Sequence, residues 1–306
     1  MSAYDEIRKS LDSGKAVLLD GATGSELVRR GVRWRWHGLR TDANAVQALH
    51  EEYLAAGADV IRTNTFQLNR RTYLNVFQNP QHMQHIGAPD LERRAQTLLR
   101  KAVEVAQAAR DSARRDAAIA GVLSPLEHCF RPDLAPSEAE ARREHEEIAA
   151  VLAQAGVDLL LLESMNTIVE ARAAAQAARA TGLPVWASFV LGPEGEILGR
   201  EPLADGVGAM EQLGVEVVLV NCAPPEDIGR AVARIRDGRR GAYAHIGKFN
   251  PPSWKFEFHP QWTDTESWPP KRYAEAALRW REAGILVIGG CCGTSPAHIR
   301  AVREAL

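Results

Sequence analysis

Cysteine is rare in this chain of 306 residues, yet two of its four cysteines are adjacent. Cys291 and Cys292 follow the apolar segment ILVIGG, and Cys222 follows Asn221 at the end of another apolar segment, EVVLVN. Three thiolates around one point suit Zn²⁺, which accepts sulfur ligands and favours tetrahedral coordination. Three protein ligands leave one coordination position open, which is the arrangement of catalytic zinc sites. The residues therefore predict a zinc site formed by Cys222, Cys291 and Cys292.

Other roles for the cysteines stay open at this level. Buried free cysteine is common, and each of the three taken alone is more often a small core residue. A disulfide between the adjacent Cys291 and Cys292 would be strained. The fourth cysteine, Cys129, has His128 beside it, but we interpret it as an ordinary loop thiol.

Cysteines so far apart in sequence can meet only if their strands end at the same place. Eight short apolar segments are typical of strands, and they alternate with helical segments: residues 16–20, 59–64, 117–122, 158–163, 184–189, 216–221, 241–246 and 285–290. Their nearly continuous apolar character indicates parallel strands buried on both faces. The alternation predicts a (β/α)8 TIM barrel, as a single domain over residues 1–306. A doubly wound open sheet is the alternative, but the segment DGATGSEL lacks the glycine spacing of its dinucleotide loop.

In such a barrel the carboxyl ends of all strands surround one mouth. The residues expected there are Asp20, the segment RTNTFQ, Glu163, Asn221 with Cys222, His245, and Cys291 with Cys292. Adjacent strand residues point to opposite faces, so Cys291 and Cys292 can share one ion only if the backbone leaves the strand between them. Gly289, Gly290 and Gly293 would give the backbone that freedom.

The overall composition narrows the classes of partner. A formal net charge of −2 gives no electrostatic case for nucleic acid or an anionic membrane. No apolar run approaches the roughly 20 residues that span a bilayer, and the first residues lack a signal-peptide apolar region. We therefore expect a cytoplasmic protein with reduced cysteines, acting on small molecules, either alone or as a homo-oligomer.

Several segments resemble the zinc-dependent homocysteine S-methyltransferases, in the same order along nearly the whole chain: LLDGATGSEL, ADVIRTNTF, AGVDLLLLESMNTIVEA, VNCAPP and GGCCGTSPAHIRAV. The resemblance implies that Zn²⁺ is held by Cys222, Cys291 and Cys292. It implies methyl transfer to the thiolate of L-homocysteine, giving methionine. A free small onium donor is expected, S-methylmethionine or S-adenosylmethionine, because the chain has no room for folate or cobalamin domains.

The resemblance also implies a set of substrate contacts. Asp20 and Glu163 would bind the ammonium of the amino acid, and backbone N–H groups from Gly21 to Thr23 its carboxylate. General acid–base work by the two carboxyls is the alternative, but it leaves the cysteines unexplained. Further positions are expected to face the acceptor or the donor: Thr63, Asn64, Gln67, Ser164, Asn221 and His245. Aromatic faces attract a donor cation, and five tryptophans of the long loops are candidates: Trp34, Trp36, Trp254, Trp262 and Trp268.

The chain departs from the family pattern in two places that bear on its substrates. His245 stands in YAHIG, near the position of a family asparagine, and is either a displaceable zinc ligand or a neighbour of the site. Ser164 stands where some betaine users carry tyrosine, which argues weakly against betaine. The segments 31–41 and 248–270 are predicted to be long loops over the active site. A different thiol or donor, betaine included, and a barrel that binds zinc without catalysis remain alternatives.

Overall fold

Eight parallel strands form a closed barrel in the computed structural model, which describes residues 2–32, 35–71, 91–235, 237–250 and 261–306. In chain order they are β1 (Val17–Leu18), β2 (Val60–Arg62), β3 (Ala118–Leu123), β4 (Leu159–Met165), β5 (Val185–Val190), β6 (Val217–Asn221), β7 (Arg240–Ala244) and β10 (Val287–Gly290). The order around the sheet is β1-β10-β7-β6-β5-β4-β3-β2. A parallel bridge between Leu19 and Val60 joins the first strand to the second and closes the ring. The predicted (β/α)8 barrel is confirmed.

The strands are apolar on both faces because both faces are buried. Alternate residues, such as Leu159 and Leu161 of β4, fill the barrel interior. The residues between them, such as Leu160 and Leu162, pack against the surrounding helices. This alternation decides which strand residues point inward at the mouth.

Ten α-helices are described, and all but the first surround the barrel or follow its strands: α2 (Gly24–Arg29), α3 (Ala43–Ala55), α4 (Leu91–Ala113), α5 (Glu138–Ala155), α6 (Ile168–Arg179), α7 (Leu203–Gln212), α8 (Pro225–Val232), α9 (Pro270–Glu282) and one last helix. The last helix, α10 (Pro296–Ala305), begins at a proline, whose fixed φ suits the first helical position. Helix α5 begins with a capping box, in which Glu140 accepts hydrogen bonds from the backbone and hydroxyl of Ser137.

The remaining helix, α1 (Ala3–Asp12), closes the amino-terminal end of the barrel. Its Tyr4 hydroxyl accepts a hydrogen bond from the indole of Trp186, which is fully buried in the interior, and donates one to Glu216. Burial of an aromatic pair with its polar atoms satisfied stabilises this end of the barrel and leaves only the opposite mouth open.

The segment 248–270 differs from the predicted loop. It contains two short antiparallel strands that pair with each other, β8 (Lys248–Asn250) and β9 (Gln261–Thr263), with Phe249 opposite Trp262. Trp34 and Trp254 and the side chain of Trp36 lie outside the described residues. Within the described ranges, every helix is too short or too polar to cross a bilayer.

Candidate thiol and metal site

The pleat of the strands brings four polar or sulfur-bearing residues into one layer above the apolar interior. Arg62 follows Val60 on β2, and Glu163 follows Leu161 on β4, each two positions beyond an interior residue. Asn221 and Cys291 occupy the same place on β6 and just beyond β10. All four are buried. The local structure therefore points these side chains inward at the same level.

The three sulfur atoms predicted to bind metal lie together. The Sγ atoms of Cys222, Cys291 and Cys292 are all within 4.8 Å of one another, and we call these residues the sulfur cluster. Tetrahedral Zn²⁺ with Zn–S distances of about 2.3 Å would hold sulfurs about 3.8 Å apart, so the cluster fits a metal with little movement. Among the described residues no other histidine, cysteine or carboxylate joins the group.

Backbone geometry turns the sulfurs toward each other. Cys222 adopts a φ of +51° directly after β6, a left-handed conformation that few residues other than glycine adopt. Gly293 has a φ of +81° and supplies the turn after Cys292, as predicted. Gly289 and Gly290 serve another purpose than the one predicted. They lie in strand conformation, where a Cβ on Gly290 would approach the Thr294 hydroxyl to 2.3 Å, so close packing requires them.

Electrostatics within the sulfur cluster favour a cation. The pKa of the Cys291 thiol lies well below its ordinary value because Cys222 and Cys292 donate hydrogen bonds to its sulfur. The same contact raises the pKa of Cys222 well above its ordinary value. Sulfurs that share hydrogen bonds in this way release their protons when a divalent metal binds.

A second cluster lies beside the sulfurs, and we call Asp20, Arg62 and Glu163 the charge cluster. The Arg62 guanidinium donates from Nε to Asp20 Oδ1 at 2.6 Å and from Nη1 to Glu163 Oε1 at 2.5 Å. Its Nη2 donates to the backbone carbonyls of Asp20, Gly21 and Gly290. The backbone N–H of Arg62 binds the other oxygen of Asp20, Oδ2, at 2.9 Å. Charges this deeply buried require such pairing.

The two carboxylates of the charge cluster differ in access. Asp20 is completely buried, and both of its oxygens are bound by Arg62. Glu163 lines the cavity, and its Oε2 has no donor among the described residues. Burial raises the pKa of Glu163 above its ordinary value, and Arg62 opposes that rise. Glu163 is thus the carboxylate that a ligand can reach.

Both clusters border one cavity of about 840 Å³, which includes its open mouth. Of the predicted site residues, eight line it: Thr63, Asn64, Gln67, Glu163, Ser164, Cys222, Cys291 and Cys292. Gln67 and Ser164 have positive φ values of +55° and +61°. Backbone strain of this kind concentrates at functional sites, where the surrounding structure holds it.

Four predicted substrate contacts are placed behind the cavity wall. Asp20 is covered by Arg62, and the carbonyl of Gly21 binds the same guanidinium. Asn221 is completely buried and donates to Ser164 Oγ at 2.6 Å and toward Cys291 Sγ at 4.0 Å. His245 packs its ring 4.6 Å from that of Trp262 and stands outside the group of sulfur atoms that lie within 4.8 Å of one another.

Several residues to which the sequence analysis assigned no role complete the cavity. Arg62 is the most important; as the first residue of the segment RTNTFQ it was expected at the mouth, but without a function. Phe66, His128 and Phe130 line the cavity together with the predicted candidate Trp262, and Cys129 lies among them. Burial raises the pKa of the Cys129 thiol to about 12, so this cysteine is a neutral part of the wall.

The geometry agrees with what comparison with known proteins shows. A family model described as homocysteine S-methyltransferase matches residues 17–306. Betaine–homocysteine S-methyltransferase 1 of Danio rerio is 29% identical over 327 residues, covering 98% of this chain and 75% of that protein. S-methylmethionine–homocysteine S-methyltransferase of Rattus norvegicus is 29% identical over 322 residues, covering 98% of this chain and 81% of that protein.

A solved structure supports the architecture. The homocysteine methyltransferase MmuM from Escherichia coli, in its metallated form, matches with a TM-score of 0.78 at 23% identity, over 98% of this chain and 99% of that one. At this identity the likeness shows the fold. Because the family model covers all of the barrel strands and the whole sulfur cluster, this chain belongs to the homocysteine S-methyltransferase family and is a methyltransferase.

Proposed function

We propose that this chain transfers a methyl group from a small onium donor to the thiolate of L-homocysteine, with Zn²⁺ held by Cys222, Cys291 and Cys292. The observation that carries the proposal is the meeting of three sulfurs within 4.8 Å of one another at the wall of a cavity. Bound there, zinc would keep the acceptor thiol deprotonated at neutral pH and still nucleophilic. Membership of an enzyme family argues against a barrel that only stores the metal.

The chain's own residues would orient the acceptor beside the sulfurs. Glu163 Oε2 is open to the cavity and can accept hydrogen bonds from the ammonium of homocysteine. Thr63 and Asn64 are held rigidly behind it: the Thr63 hydroxyl accepts from Val122 N at 3.0 Å, and the Asn64 amide donates to the carbonyl of His37. A rigid wall keeps the thiol in position for attack.

An aromatic wall supports an onium donor. Phe66, Phe130 and Trp262 line the same cavity, and aromatic faces attract a sulfonium or ammonium cation that has lost its water. In the reaction, a bond forms between the acceptor sulfur and the methyl carbon. The bond from that carbon to the donor heteroatom breaks, and its electron pair stays on the donor, which leaves neutral at that atom. The acceptor's thiol proton is released on binding.

We expect the donor to be S-methylmethionine or S-adenosylmethionine, with methionine as the product. Betaine remains the second candidate, because a relative of equal similarity is named for it. The barrel would be the whole functional unit, since both clusters and the aromatic wall belong to it. Metal binding needs reduced sulfurs, and the four cysteines are free, which is consistent with a cytoplasmic location.

A donor panel tests the proposal. The purified zinc-loaded protein is incubated with L-homocysteine and, in turn, S-methylmethionine, S-adenosylmethionine and betaine, and methionine is measured by mass spectrometry with a methyl-labelled donor. Labelled methionine from S-methylmethionine or S-adenosylmethionine supports the proposal. Labelled methionine from betaine alone would replace the donor, and no product from any of the three would contradict homocysteine as the acceptor.

A further inference from the structure

The charge cluster has one property that the proposed function leaves unexplained. Two carboxylates near the sulfurs would suit an ammonium, but the protein already supplies a cation there, Arg62. The guanidinium donates hydrogen bonds to Asp20 and to three backbone carbonyls at the barrel rim, and Arg62 is only 6% exposed. A substrate ammonium therefore cannot use Asp20, and Glu163 Oε2 is the acceptor left to it.

Within the part of the chain that the structure describes, one N–H group of the Arg62 guanidinium remains without an acceptor. A guanidinium carries five N–H groups. Nε uses its single hydrogen on Asp20, Nη2 faces three carbonyl oxygens, and Nη1 uses one hydrogen on Glu163. The second hydrogen of Nη1 has no acceptor among the described residues, and Arg62 lines the cavity. Next to the open oxygen of Glu163, the wall thus presents one unpaired cationic donor.

The carboxylate oxygen of Glu163 and the N–H group of Arg62 lie next to each other. Together they match the head group of an α-amino acid, in which an ammonium and a carboxylate are attached to one carbon. The pairing is held rigidly, because the guanidinium also stacks over the Tyr243 ring at 5.0 Å. The Tyr243 hydroxyl is in turn hydrogen-bonded to Ser188 at 2.6 Å. The atoms left free are fixed in place before a ligand arrives, which lowers the entropic cost of binding.

We propose that Arg62 is a specificity-determining residue, whose free Nη1 hydrogen binds the carboxylate of the acceptor while Glu163 Oε2 binds its ammonium. The inference rests on the proposed function, and it names the acceptor class as thiols that are α-amino acids. Asp20 has a different part in it. Asp20 positions Arg62 and does not touch the substrate.

Two truncated thiols separate the two halves of the head group. Mercaptopropylamine is homocysteine without its carboxylate, and mercaptobutanoate is homocysteine without its amine. Both are compared with L-homocysteine in the methyl-transfer assay and, without any donor, by calorimetric binding to the zinc-loaded protein. Because a hydrogen bond between charged groups contributes about 1.5–3 kcal/mol, we expect the wild type to prefer homocysteine over either by roughly 10–150-fold.

Arg62→Gln and Glu163→Gln should then lose opposite preferences. Arg62→Gln is expected to lose the preference for homocysteine over mercaptopropylamine, and, because it uncovers Asp20, mercaptopropylamine itself should bind no more weakly than to the wild type. Glu163→Gln is expected to lose the preference over mercaptobutanoate instead. Arg62→Lys keeps a cation and should restore part of the carboxylate preference. Metal content and the thermal midpoint of each variant confirm that it is folded.

The outcomes decide between the proposals. Equal losses for all three thiols in Arg62→Gln would give Arg62 a purely structural role and overturn the inference. A wild type that prefers mercaptobutanoate would also overturn it, because the guanidinium would then replace the ammonium. Selective binding of homocysteine without methyl transfer from any donor would remove the proposed function and leave the role of Arg62 intact.

Discussion

The sulfur cluster and the charge cluster line the same cavity, but they are completed in opposite ways. Arg62 pairs with both Asp20 and Glu163, and Asp20 accepts three hydrogen bonds from Arg62 and one at its backbone carbonyl from the N–H of Gly290. The sulfur cluster has only its own shared protons and a long contact from Asn221. The charged groups of the charge cluster are paired within the protein, whereas the sulfur cluster needs a metal cation from solution.

This difference separates the groups that stabilise the site from the groups that can bind a metal or a substrate. Within the two clusters, and among the described residues, the atoms without a close partner outside their own cluster are the three sulfurs, Glu163 Oε2 and one N–H of Arg62. These are the atoms that a metal and an amino-acid thiol could use. Groups already satisfied, such as Asp20, should matter for stability more than for binding.

The largest effect is expected from breaking the sulfur cluster. Cys291→Ala leaves two ligands and should abolish stable zinc binding, and with it methyl transfer, by about 10³-fold or more, because the ligands act as a unit. Metal content by mass spectrometry and the initial rate of methionine formation measure this. Retention of one zinc per chain together with the wild-type rate would contradict the assignment.

The next largest effect should appear in stability. Asp20→Asn breaks one of the two buried ion pairs of Arg62 and sets an amide NH2 group against one of its N–H donors, and breaking a buried pair typically costs about 3–5 kcal/mol. Urea unfolding followed by circular dichroism measures the shift, and zinc content should be unchanged.

Asp133→Asn is the matched control, since Asp133 pairs with Arg131 where both side chains are more than half exposed. Exposed pairs of this kind contribute little to stability, so the unfolding curve of this variant should overlay that of the wild type. Equal unfolding curves for the two variants would contradict a stabilising role of Asp20 in the charge cluster.

A smaller effect is expected at the aromatic wall. Phe130→Leu keeps an apolar side chain of similar size but removes a π face, worth about 0.5–2 kcal/mol to a cation. The donor KM should rise by roughly 2–30-fold with the KM for homocysteine unchanged. A change confined to the homocysteine KM would place the donor elsewhere in the cavity.

The smallest effect is expected at the fourth cysteine, Cys129. Its pKa of about 12 means that the thiol stays protonated at pH 8, with a thiolate fraction roughly 10³ times smaller than that of an ordinary cysteine. We expect iodoacetamide to modify Cys129 correspondingly slowly, as followed by peptide mass spectrometry at this pH. Cys129→Ala should keep the zinc content of the wild type, and loss of zinc would make Cys129 part of the metal site.

The sequence was sufficient for most of the fold because its signals are local. Each predicted strand contains or overlaps an observed one, as in residues 158–163 against Leu159–Met165. Each apolar run, and the polar or glycine residues that end it, can be recognised from a short stretch of sequence. The pairing of Lys248–Asn250 with Gln261–Thr263 was missed, since three residues are too few for their alternation of polar and aromatic side chains to stand out from the surrounding sequence.

The site was predicted as far as residue type was distinctive. Cysteines at the ends of two strands are rare enough to stand out, and the structure brings them together. Arg62 was not distinctive, because an arginine at a strand end usually lies at the surface. Its burial depends on Asp20 and Glu163, which are 42 and 101 residues away in the chain. The burial of Asp20 behind Arg62 depends on the same pairing between residues that are distant in the sequence.

The most direct test of the account is X-ray absorption at the zinc edge, with and without homocysteine. The protein alone should show three sulfur ligands and one lighter atom, and homocysteine should change this to four sulfurs. A zinc environment that does not change on adding homocysteine, or one with fewer than three sulfurs from the protein, would contradict the claim that Cys222, Cys291 and Cys292 present a metal to an incoming thiol.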